Sequence, residues 1–409
     1  MLFRSGVELR AGYKRTETEA IPREWAVKRL GDIASLCKER VDPQADGTSG
    51  FCVELEHVEP GTGQLMGNTS VDSQASTKAV FRTGDVLFGK LRAYLRKYWL
   101  ADREGVCSTE FWVLAANRQM VIPEFLFYLV TTEEFINMAS MAYGTHMPRS
   151  DWNLAKNYRL ALPGLEEQRA IASALSDVDA LISSLDKLIA KKRDIKQAAM
   201  QQLLTGRRRL PGFSGRWEER RLEDVAALDS ENLGGDTPRD YEFNYVSLED
   251  VNRGILRGYA NQLFSSAPSR ARRVIRSGDV LVSTVRPNLG SHLLFKSSSP
   301  DWICSTGFSV VRCVEDAACP GYVFYHLFGD YVTRQIDAQL TGSSYPAISS
   351  KDVGNLRMPF PSIDEQRAIA SVLSDMDAEI EALERRRDKT WLLKQGMMQE
   401  LLTGRVRLV

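Results

Sequence analysis

The segment Glu-Gln-Arg-Ala-Ile-Ala-Ser occurs twice in the chain, at residues 167–173 and, letter for letter, at residues 365–371. The offset between the two copies is 198 residues (365 minus 167). The match continues at the same offset, without a gap, through Leu-Leu-Thr-Gly-Arg at residues 203–207 and 401–405. More than half of the positions between Pro163 and Leu210 are identical to their partners, so the chain contains an internal repeat.

Each copy of the repeat has the pattern of one long helix. Apolar residues recur at steps of four and three, which gives one apolar stripe with charged residues elsewhere. The stripe consists of Ile171, Leu175, Val178, Ile182, Leu185 and Ile189 in the first copy and of Ile369, Leu373, Met376, Ile380 and Leu383 in the second. Gly206 and Gly404 follow the last apolar residues and can adopt the left-handed conformation that ends a helix. A helix of about 38 residues would be about 57 Å long.

Such a helix cannot bury its own stripe. One interpretation is that the copies are independent core helices of two domains. We favour the interpretation in which the two stripes pack on each other, because each stripe is narrow and both copies carry one.

Composition limits the class of protein. The 409 residues are enough for two or three domains with their own cores. The 53 basic and 53 acidic residues balance, so a nucleic-acid site must be a local patch or groove. The six cysteines are scattered without a Cys-x-x-Cys pattern, which argues against zinc and against a disulfide framework. No apolar run has membrane-spanning length and no signal peptide is recognisable, so we expect a cytoplasmic protein.

The repeat extends beyond the helices. The opening at residues 21–34 returns at residues 215–226, and Arg-Thr-Gly-Asp-Val-Leu at residues 82–87 returns as Arg-Ser-Gly-Asp-Val-Leu at residues 276–281. Between such markers the two units differ in sequence and in length. The predicted order is therefore variable domain, helix, variable domain, helix. Residues 1–20 are polar and aperiodic, and we interpret them as a tail.

Each variable domain has a mixed pattern. Short runs of β-branched and aromatic residues predict strands at residues 86–88, 111–114, 280–282 and 309–311. Pro123 to Met138 and Pro320 to Gln339 are predicted to be amphipathic helices with proline in the first turn. We expect an α+β globule with a small, irregular sheet in each unit.

Connectivity restricts how the helices pair. The first helix leaves the first globule and ends at the second, and the second helix leaves the second globule. Antiparallel packing lets the second helix return, whereas parallel packing would require the second globule to reach back along the whole helix. We therefore expect two similar globules joined by an antiparallel two-helix spacer with a pseudo-twofold axis.

Catalytic motifs are missing from the sequence. It contains no Gly-x-x-x-x-Gly-Lys-Ser/Thr for nucleotide phosphates and no Asn-Pro-Pro-aromatic run of an amino-methyltransferase. Four histidines do not support a Ser/His/Asp arrangement. The sequence predicts a chain that is not a catalyst by itself.

Two kinds of loop carry binding chemistry. Residues 90–98 interleave four cations with two tyrosines directly after a predicted strand, and residues 283–288 hold the corresponding place in the second unit. Glycine loops at residues 143–149 and 341–346 precede the long helices. Arg, Asn, Ser and Thr in such loops contact base edges and phosphates. The alternative is that these segments are a solvated turn and plain connections. The candidate DNA-binding residues are Lys90, Arg92, Arg96, Lys97, Tyr98, Thr145, His146, Arg149, Thr284, Arg286, Asn288, Ser343, Ser344 and Tyr345.

Taken together, these features resemble the DNA-specificity subunit of type I restriction-modification systems. The resemblance covers nearly the whole chain. It rests on Gly-Tyr-Lys-Arg-Thr-Glu at residues 12–17 leading to Ile-Pro-Arg-Glu-Trp at residues 21–25, on the two Glu-Gln-Arg-Ala-Ile-Ala helices and on both Leu-Leu-Thr-Gly endings.

The resemblance implies an α+β fold with two similar target-recognition domains separated by an antiparallel pair of long spacer helices, a coiled coil with a pseudo-twofold internal repeat. The expected boundaries are a tail at 1–20, the first recognition domain at 21–163, the first spacer helix at 164–206, a linker at 207–214, the second recognition domain at 215–361 and the second spacer helix at 362–404.

The resemblance also implies a function. Each recognition domain would read one half of a bipartite, asymmetric site in double-stranded DNA, and the helices would set the gap and dock two methyltransferase subunits. Those partners would bring S-adenosylmethionine and methylate adenine, and translocase-nuclease subunits would bring ATP and magnesium, with no cofactor in this chain. One alternative is a helical-arm scaffold that joins two proteins without touching DNA. Another is a regulator that binds DNA without methyltransferase subunits.

Overall fold

The computed structural model of the chain describes residues 10–16, 20–44, 50–141, 148–342 and 346–408. The chain divides into two compact units. Unit 1 combines Met1–Leu185 with Arg386–Val409, and unit 2 is the continuous stretch Asp186–Arg385. Each unit contains strands, short helices and a part of each of two long helices, so both units are α+β.

The elements of unit 1 are short apart from the long helix. The strands are β1 (Tyr13–Arg15), β2 (Ala20–Pro22), β3 (Ala26–Arg29), β4 (Ala34–Leu36), β5 (Arg40–Val41), β6 (Phe51–Val53), β7 (Thr69–Ser70), β8 (Lys78–Phe81), β9 (Val86–Gly89), β10 (Tyr98–Leu100), β11 (Gly105–Ser108), β12 (Phe111–Ala116) and β13 (Arg159–Leu162). The helices are α1 (Leu30–Ile33), α2 (Pro123–Val130), α3 (Glu133–Ser140), α4 (Trp152–Ala155) and the long α5 (Leu165–Leu203), which continues into unit 2 from Asp186, with short 3-10 helices at Leu55–His57, Val71–Ser73 and Ala93–Leu95.

Unit 2 repeats this plan. Its strands are β14 (Glu218–Arg221), β15 (Ala226–Leu228), β16 (Glu242–Val246), β17 (Val251–Asn252), β18 (Ile255–Leu256), β19 (Ala260–Leu263), β20 (Ala271–Ile275), β21 (Val280–Ser283), β22 (Leu293–Leu294), β23 (Trp302–Ser305), β24 (Phe308–Cys313) and β25 (Arg357–Phe360). The helices are α6 (Pro320–His326), α7 (Asp330–Gln339), α8 (Ser350–Gly354) and the long α9 (Ile363–Leu401), which continues into unit 1 from Arg386, with 3-10 helices at Leu222–Asp224 and Pro287–Leu289.

Each unit contains two main sheets, where the sequence predicted one small sheet. In unit 1 the sheets have the orders β10-β9-β12-β4 and β5-β8-β11-β6-β7, and in unit 2 they have the orders β15-β24-β21-β22 and β19-β16-β23-β20. One pair is parallel in each unit, with Cys107 opposite Val53 in unit 1 and Cys304 opposite Val246 in unit 2. The difference arises because strands of two or three residues, such as β5 and β7, are too short to show a periodic pattern.

The sheet pairs β3–β13 and β14–β25 connect the start of each domain to its end. Leu162 lies opposite Ala26 in unit 1, and Phe360 lies opposite Glu218 in unit 2. The strand that precedes each long helix is therefore fixed to the first part of its own domain, which orients the helix as it leaves.

The two predicted amphipathic helices are each divided in two, which corrects the sequence interpretation. The break in unit 1 falls where the Thr132 side chain accepts a hydrogen bond from the amide of Phe135 and starts α3. In unit 2, Gly329 is the residue before α7. Proline at the first turn of α2 and of α6 agrees with the sequence.

Each long helix has 39 residues, and its apolar stripe is packed within the units. In unit 1, Ile171 and Leu175 of α5 share one core with Leu401 and Leu402 at the end of α9. In unit 2, the roles are exchanged, and Ile369 and Leu373 of α9 share a core with Met200, Leu203 and Leu204 of α5. Because the start of one helix meets the end of the other in both units, the pairing is antiparallel, as expected.

Residues 10–16, assigned to the tail from sequence, include a strand. Tyr13 to Arg15 pair with Ala20 to Pro22, and the Tyr13 hydroxyl donates to the Gly404 carbonyl at 2.7 Å. A polar segment can thus be ordered by a hydrogen-bonded partner far along the chain, and this partner has no local signal in the sequence.

Candidate DNA interface and helix junctions

Two loops with the same backbone follow β9 and β21. We call residues 90–96 the arginine loop of unit 1 and residues 284–290 the arginine loop of unit 2. In unit 1 the Lys90 amide donates to Glu110 at 2.9 Å and the Arg92 amide to Pro148 at 2.9 Å. In unit 2 the Thr284 amide donates to Gly307 at 2.8 Å and the Arg286 amide to Pro346 at 2.7 Å. The two arginine loops thus make equivalent backbone hydrogen bonds, although most of their residues differ.

Three arginine-loop residues other than glycine have a left-handed backbone. Arg92 has φ 54°, Arg96 has φ 53° and Arg286 has φ 48°, whereas Gly290 at the fourth equivalent position has φ 72°. The left-handed conformation costs roughly 1–2 kcal/mol for a residue with a Cβ. Such strain is found more often where a side chain has a role in binding. Arg92 and Arg286 are both exposed, so these are the arginine-loop residues that best fit a contact with DNA.

Four other predicted residues of unit 1 have partners within the domain. Arg96 forms a two-point ion pair with Glu133 at 2.6 and 2.7 Å, and this hydrogen bonding lowers the pKa of the Glu133 carboxyl. The Lys97 ammonium donates to the Val58 carbonyl at 2.7 Å. Tyr98 is 5% exposed and its hydroxyl donates to a backbone carbonyl, and burial raises the pKa of Tyr98 to about 12. Exposed Arg149 pairs with a carboxylate, Glu110, at 2.9 Å.

Some of the remaining candidate DNA-binding residues are buried, some are exposed, and some lie outside the residues that the structure describes. Thr284 is 8% exposed and its hydroxyl donates to Gly307 at 2.8 Å, whereas Asn288 is exposed. Lys90 is half-buried at the start of its arginine loop. The candidates outside the described residues are Thr145, His146, Ser343, Ser344 and Tyr345. DNA contact by each of these residues stays a prediction.

The repeated glutamate closes a junction in each unit. Glu167 is 5% exposed and accepts from the Trp25 indole at 2.9 Å and from the Arg407 guanidinium at 2.5 and 2.9 Å. Glu365 is 1% exposed and accepts from Arg209 at 2.5 and 2.6 Å. Two-point pairing with a carboxylate is the strongest kind of side-chain ion pair. The start of each long helix is thus held by an arginine that follows the end of the other.

The repeated glutamine attaches each long helix to its domain. The Gln168 side chain accepts from the Ile122 amide at 3.0 Å and donates to the Met120 and Pro163 carbonyls at 2.9 Å. In unit 2 the Gln366 side chain accepts from the Cys319 amide at 2.9 Å and donates to the Ala317 and Pro361 carbonyls. Both side chains are fully buried with all these bonds made, which explains why the two copies share this residue. No role for these two glutamines was predicted, although their identity in both copies of the repeat was a signal present in the sequence.

Three of the six cysteines, Cys52, Cys107 and Cys304, are buried, and the other three are half-buried. Cys107 and Cys304 are fully buried, and burial raises the pKa of both thiols, as is typical of small core residues. Among the described residues, no group of three His, Cys, Asp or Glu side chains could hold a metal ion. Within the same ranges, no helix has the length and apolar character needed to span a membrane.

This duplicated architecture defines a class of protein with two similar α+β domains, each with an exposed arginine loop and each followed by a long helix. A family model described as the type I restriction modification DNA specificity domain matches residues 22–192 and again residues 215–389. Because the two matches cover most of the chain, the protein belongs to this family. Its function is that of a DNA-specificity subunit, the non-catalytic component of a type I restriction-modification system. The family assignment favours this function over the scaffold interpretation.

Similar proteins share nearly the whole length. The type I restriction enzyme MjaVIII specificity subunit of Methanocaldococcus jannaschii is 22% identical over 426 residues, covering 97% of this chain and 96% of the relative. The putative MjaX specificity subunit of the same organism is 25% identical, with the same coverage of 97% and 96%.

Two solved structures share the fold. A chain from work on complex assembly and conformational transition of the type I R-M system has a TM-score of 0.59 at 24% identity, covering 94% of this chain and 99% of that chain. The S subunit of a type I system from M. genitalium has a TM-score of 0.58 at 16% identity, covering 95% and 98%. We call β2 to β13 recognition domain 1 and β14 to β25 recognition domain 2.

Proposed function

We propose that the two recognition domains read the two halves of a bipartite, asymmetric DNA site. The observation that carries this proposal is the pair of exposed arginines, Arg92 and Arg286, at equivalent positions of two arginine loops that otherwise share little sequence. Arginine is the side chain most often used to read guanine in the major groove. Two loops of the same backbone and different composition favour two different half-sites.

The long helices have two roles in this proposal. They set the number of unread bases between the half-sites, and they dock two methyltransferase subunits. S-adenosylmethionine is then bound by the methyltransferase subunits, which methylate adenine, while translocase-nuclease subunits use ATP and magnesium for cleavage. This chain determines which DNA site the complex binds.

The half-sites should lie about one turn of DNA apart. Equivalent groove faces recur every 10–10.5 bp, or about 34–36 Å. A helix of 39 residues is roughly 58 Å long at about 1.5 Å per residue, which is more than one turn of DNA and less than two.

A methylome of the host with and without the gene tests the proposal. We expect one two-part adenine motif to disappear when the gene is deleted and to return with the intact gene. No change in the methylome would contradict the proposal, and loss of a motif without a gap would contradict its bipartite form.

A paired insertion tests the role of the helices. Four residues, about one helical turn or 6 Å, are inserted after Lys191 in α5 and after its repeat partner Lys389 in α9, so that the two helices lengthen together. We expect both half-sites to be kept and the number of unread bases to change. A changed half-site at unchanged spacing would contradict the role of the helices, and Ala substitutions at the same two lysines are the control.

A further inference from the structure

Three elements of unit 1 meet at one carboxylate. Tyr128, in the last turn of α2, donates a hydrogen bond to Asp179 of α5 at 2.9 Å. Lys394 of α9 lies 2.6 Å from the other oxygen of Asp179, and its ammonium is 5.6 Å from the centre of the Tyr128 ring. One side chain from the recognition domain is thus joined to both long helices.

Unit 2 has the same triad with the helices exchanged. Tyr325 of α6 donates to Asp377 of α9 at 2.9 Å, and Lys196 of α5 lies 2.5 Å from the other oxygen of Asp377 and 5.3 Å from the Tyr325 ring centre. The aspartates are 198 residues apart and so are the lysines, the offset of the helix repeat. The triad therefore recurs in two domains that differ elsewhere.

The tyrosines and lysines of the triads are shielded from solvent, whereas the side chains of Asp179 and Asp377 are 30% and 44% exposed. Tyr128 is 4% and Tyr325 5% exposed, and burial raises the pKa of both hydroxyls, so they remain protonated donors. The side chains of Lys394 and Lys196 are 13% and 21% exposed. A charge-assisted contact at such a site is stronger than an exposed surface pair.

Each triad is a second point of attachment between domain and helix. The first point is Gln168, whose side chain is bonded to the segment before α2. Asp179 lies 11 residues further along α5 (179 minus 168), which is about 16 Å of helix. A domain held at one point can pivot, whereas two points about 16 Å apart fix its direction relative to the helix.

We propose that the two triads are positioning elements that fix the direction of each recognition domain on the helix pair, so that they determine which gap between half-sites is accepted. Tyr128, Asp179 and Lys394 act for recognition domain 1, and Tyr325, Asp377 and Lys196 act for recognition domain 2. The part that concerns the gap rests on the proposed reading of two half-sites.

The first experiment measures domain direction in the purified full-length chain without DNA. Spin labels are placed at Arg103, in an exposed loop of recognition domain 1, and at Ser184, exposed on α5, after the half-buried Cys37, Cys313 and Cys319 are replaced by alanine. We expect a narrow distance distribution in the parent protein and a clearly broader one in the Tyr128→Phe, Lys394→Met double variant.

A matched control changes a charge that touches no domain. Arg385 of α9 pairs only with Glu381 one turn away among the contacts of the described residues, so Arg385→Met should leave the distribution unchanged. An unbroadened distribution in the double variant would overturn the proposal. Equal broadening in the control would overturn it as well.

The second experiment measures gap selectivity in the complex with methyltransferase subunits. Duplexes with the cognate half-sites carry the cognate gap or a gap longer or shorter by one base pair. We expect the preference for the cognate gap to fall several-fold in the double variant and in Tyr325→Phe, Lys196→Met, with half-site preference kept. Unchanged gap preference would overturn the specificity part. Absence of two-part methylation by the parent complex would contradict the proposed function instead, and the spin-label result would still decide the positioning role.

Discussion

Arg92 and Arg286 have the same backbone conformation in two loops that share only two of seven residues. Their φ angles are 54° and 48°, and their amides donate to Pro148 and Pro346. The other shared residue is the leucine at positions 95 and 289. Each loop therefore has an exposed arginine on the same backbone conformation, and the residues around that arginine differ between the two loops.

Replacing these arginines should weaken DNA binding at one half-site each. Arg92→Ala should act on the half-site of recognition domain 1 and Arg286→Ala on that of recognition domain 2, each by about 1–3 kcal/mol if the contact is two-point to guanine. A phosphate contact would instead lower the salt slope by about 0.9 for all sequences. Binding affinity is measured for duplexes in which one half-site at a time is substituted, which distinguishes a guanine contact from a phosphate contact. Arg385→Ala is the control. Unchanged affinity, specificity and salt slope in both variants would show that the arginine loops do not contact DNA.

Removing the arginine of a helix junction should strongly destabilise its unit. Arg407→Met leaves the carboxylate of Glu167 buried without its charged partner, which costs about 3–5 kcal/mol. Arg220→Met removes an exposed pair with Glu218 and should cost much less, because solvent screens such a pair. Urea unfolding of the two variants measures the difference. Equal midpoints would mean that the junction contributes no more than a surface pair.

The two helix-ending glycines should respond differently to alanine. Both have a left-handed φ, 69° at Gly206 and 72° at Gly404, so each substitution costs roughly 1–2 kcal/mol. A Cβ at Gly404 would also lie 2.7 Å from Pro22, whereas at Gly206 it would only contact the Trp217 ring at 3.4 Å. Overpacking adds about 1–3 kcal/mol, so Gly404→Ala should be the more destabilising. Thermal unfolding of both variants tests this order, and a reversed order would contradict the close approach of Pro22.

Unit 2 should lose stability as the pH falls below the ordinary pKa of histidine. Burial lowers the pKa of His292 to about 4 and that of His326 to about 3, whereas an unfolded histidine has a pKa of about 6.5. The unfolded state therefore binds more protons below about pH 6.5, and each histidine costs roughly 1.4 kcal/mol per pH unit until its folded pKa is reached. There is no such cost above about pH 6.5.

Unfolding measured between pH 7.5 and 5 tests this effect. His326→Phe should reduce the slope of unfolding free energy against pH by the share of one histidine. A slope equal to that of the unchanged protein would contradict the buried, neutral state of His326.

The sequence predicted the features that depend on local pattern. The apolar stripe from Ile171 to Ile189 and the left-handed glycines at both helix ends follow from periodicity and backbone sterics. The strands β9, β12, β21 and β24 follow from β-branched and aromatic runs. The antiparallel pairing followed from connectivity, because the repeat alternates domain and helix.

The features that the sequence did not predict depend on distant partners. Arg407 and Glu167 are 240 residues apart, and no spacing rule connects them. Tyr98 follows two cations in the sequence but is buried in the core of unit 1, where its hydroxyl donates to the Gly61 carbonyl. The breaks before α3 and α7 come from the local caps Thr132 and Gly329, which interrupt an otherwise continuous amphipathic pattern.

The division of the chain also sets an order of completion during synthesis. Unit 2 is one continuous stretch, and all of it exists once Arg385 has been added. Unit 1 has to wait for the final segment, because Leu401 and Leu402 belong to its core and Arg407 to its junction. The half that begins to emerge first from the ribosome is therefore the half that finishes folding last, and a nascent chain that stops short of these residues contains one finished unit and one open core.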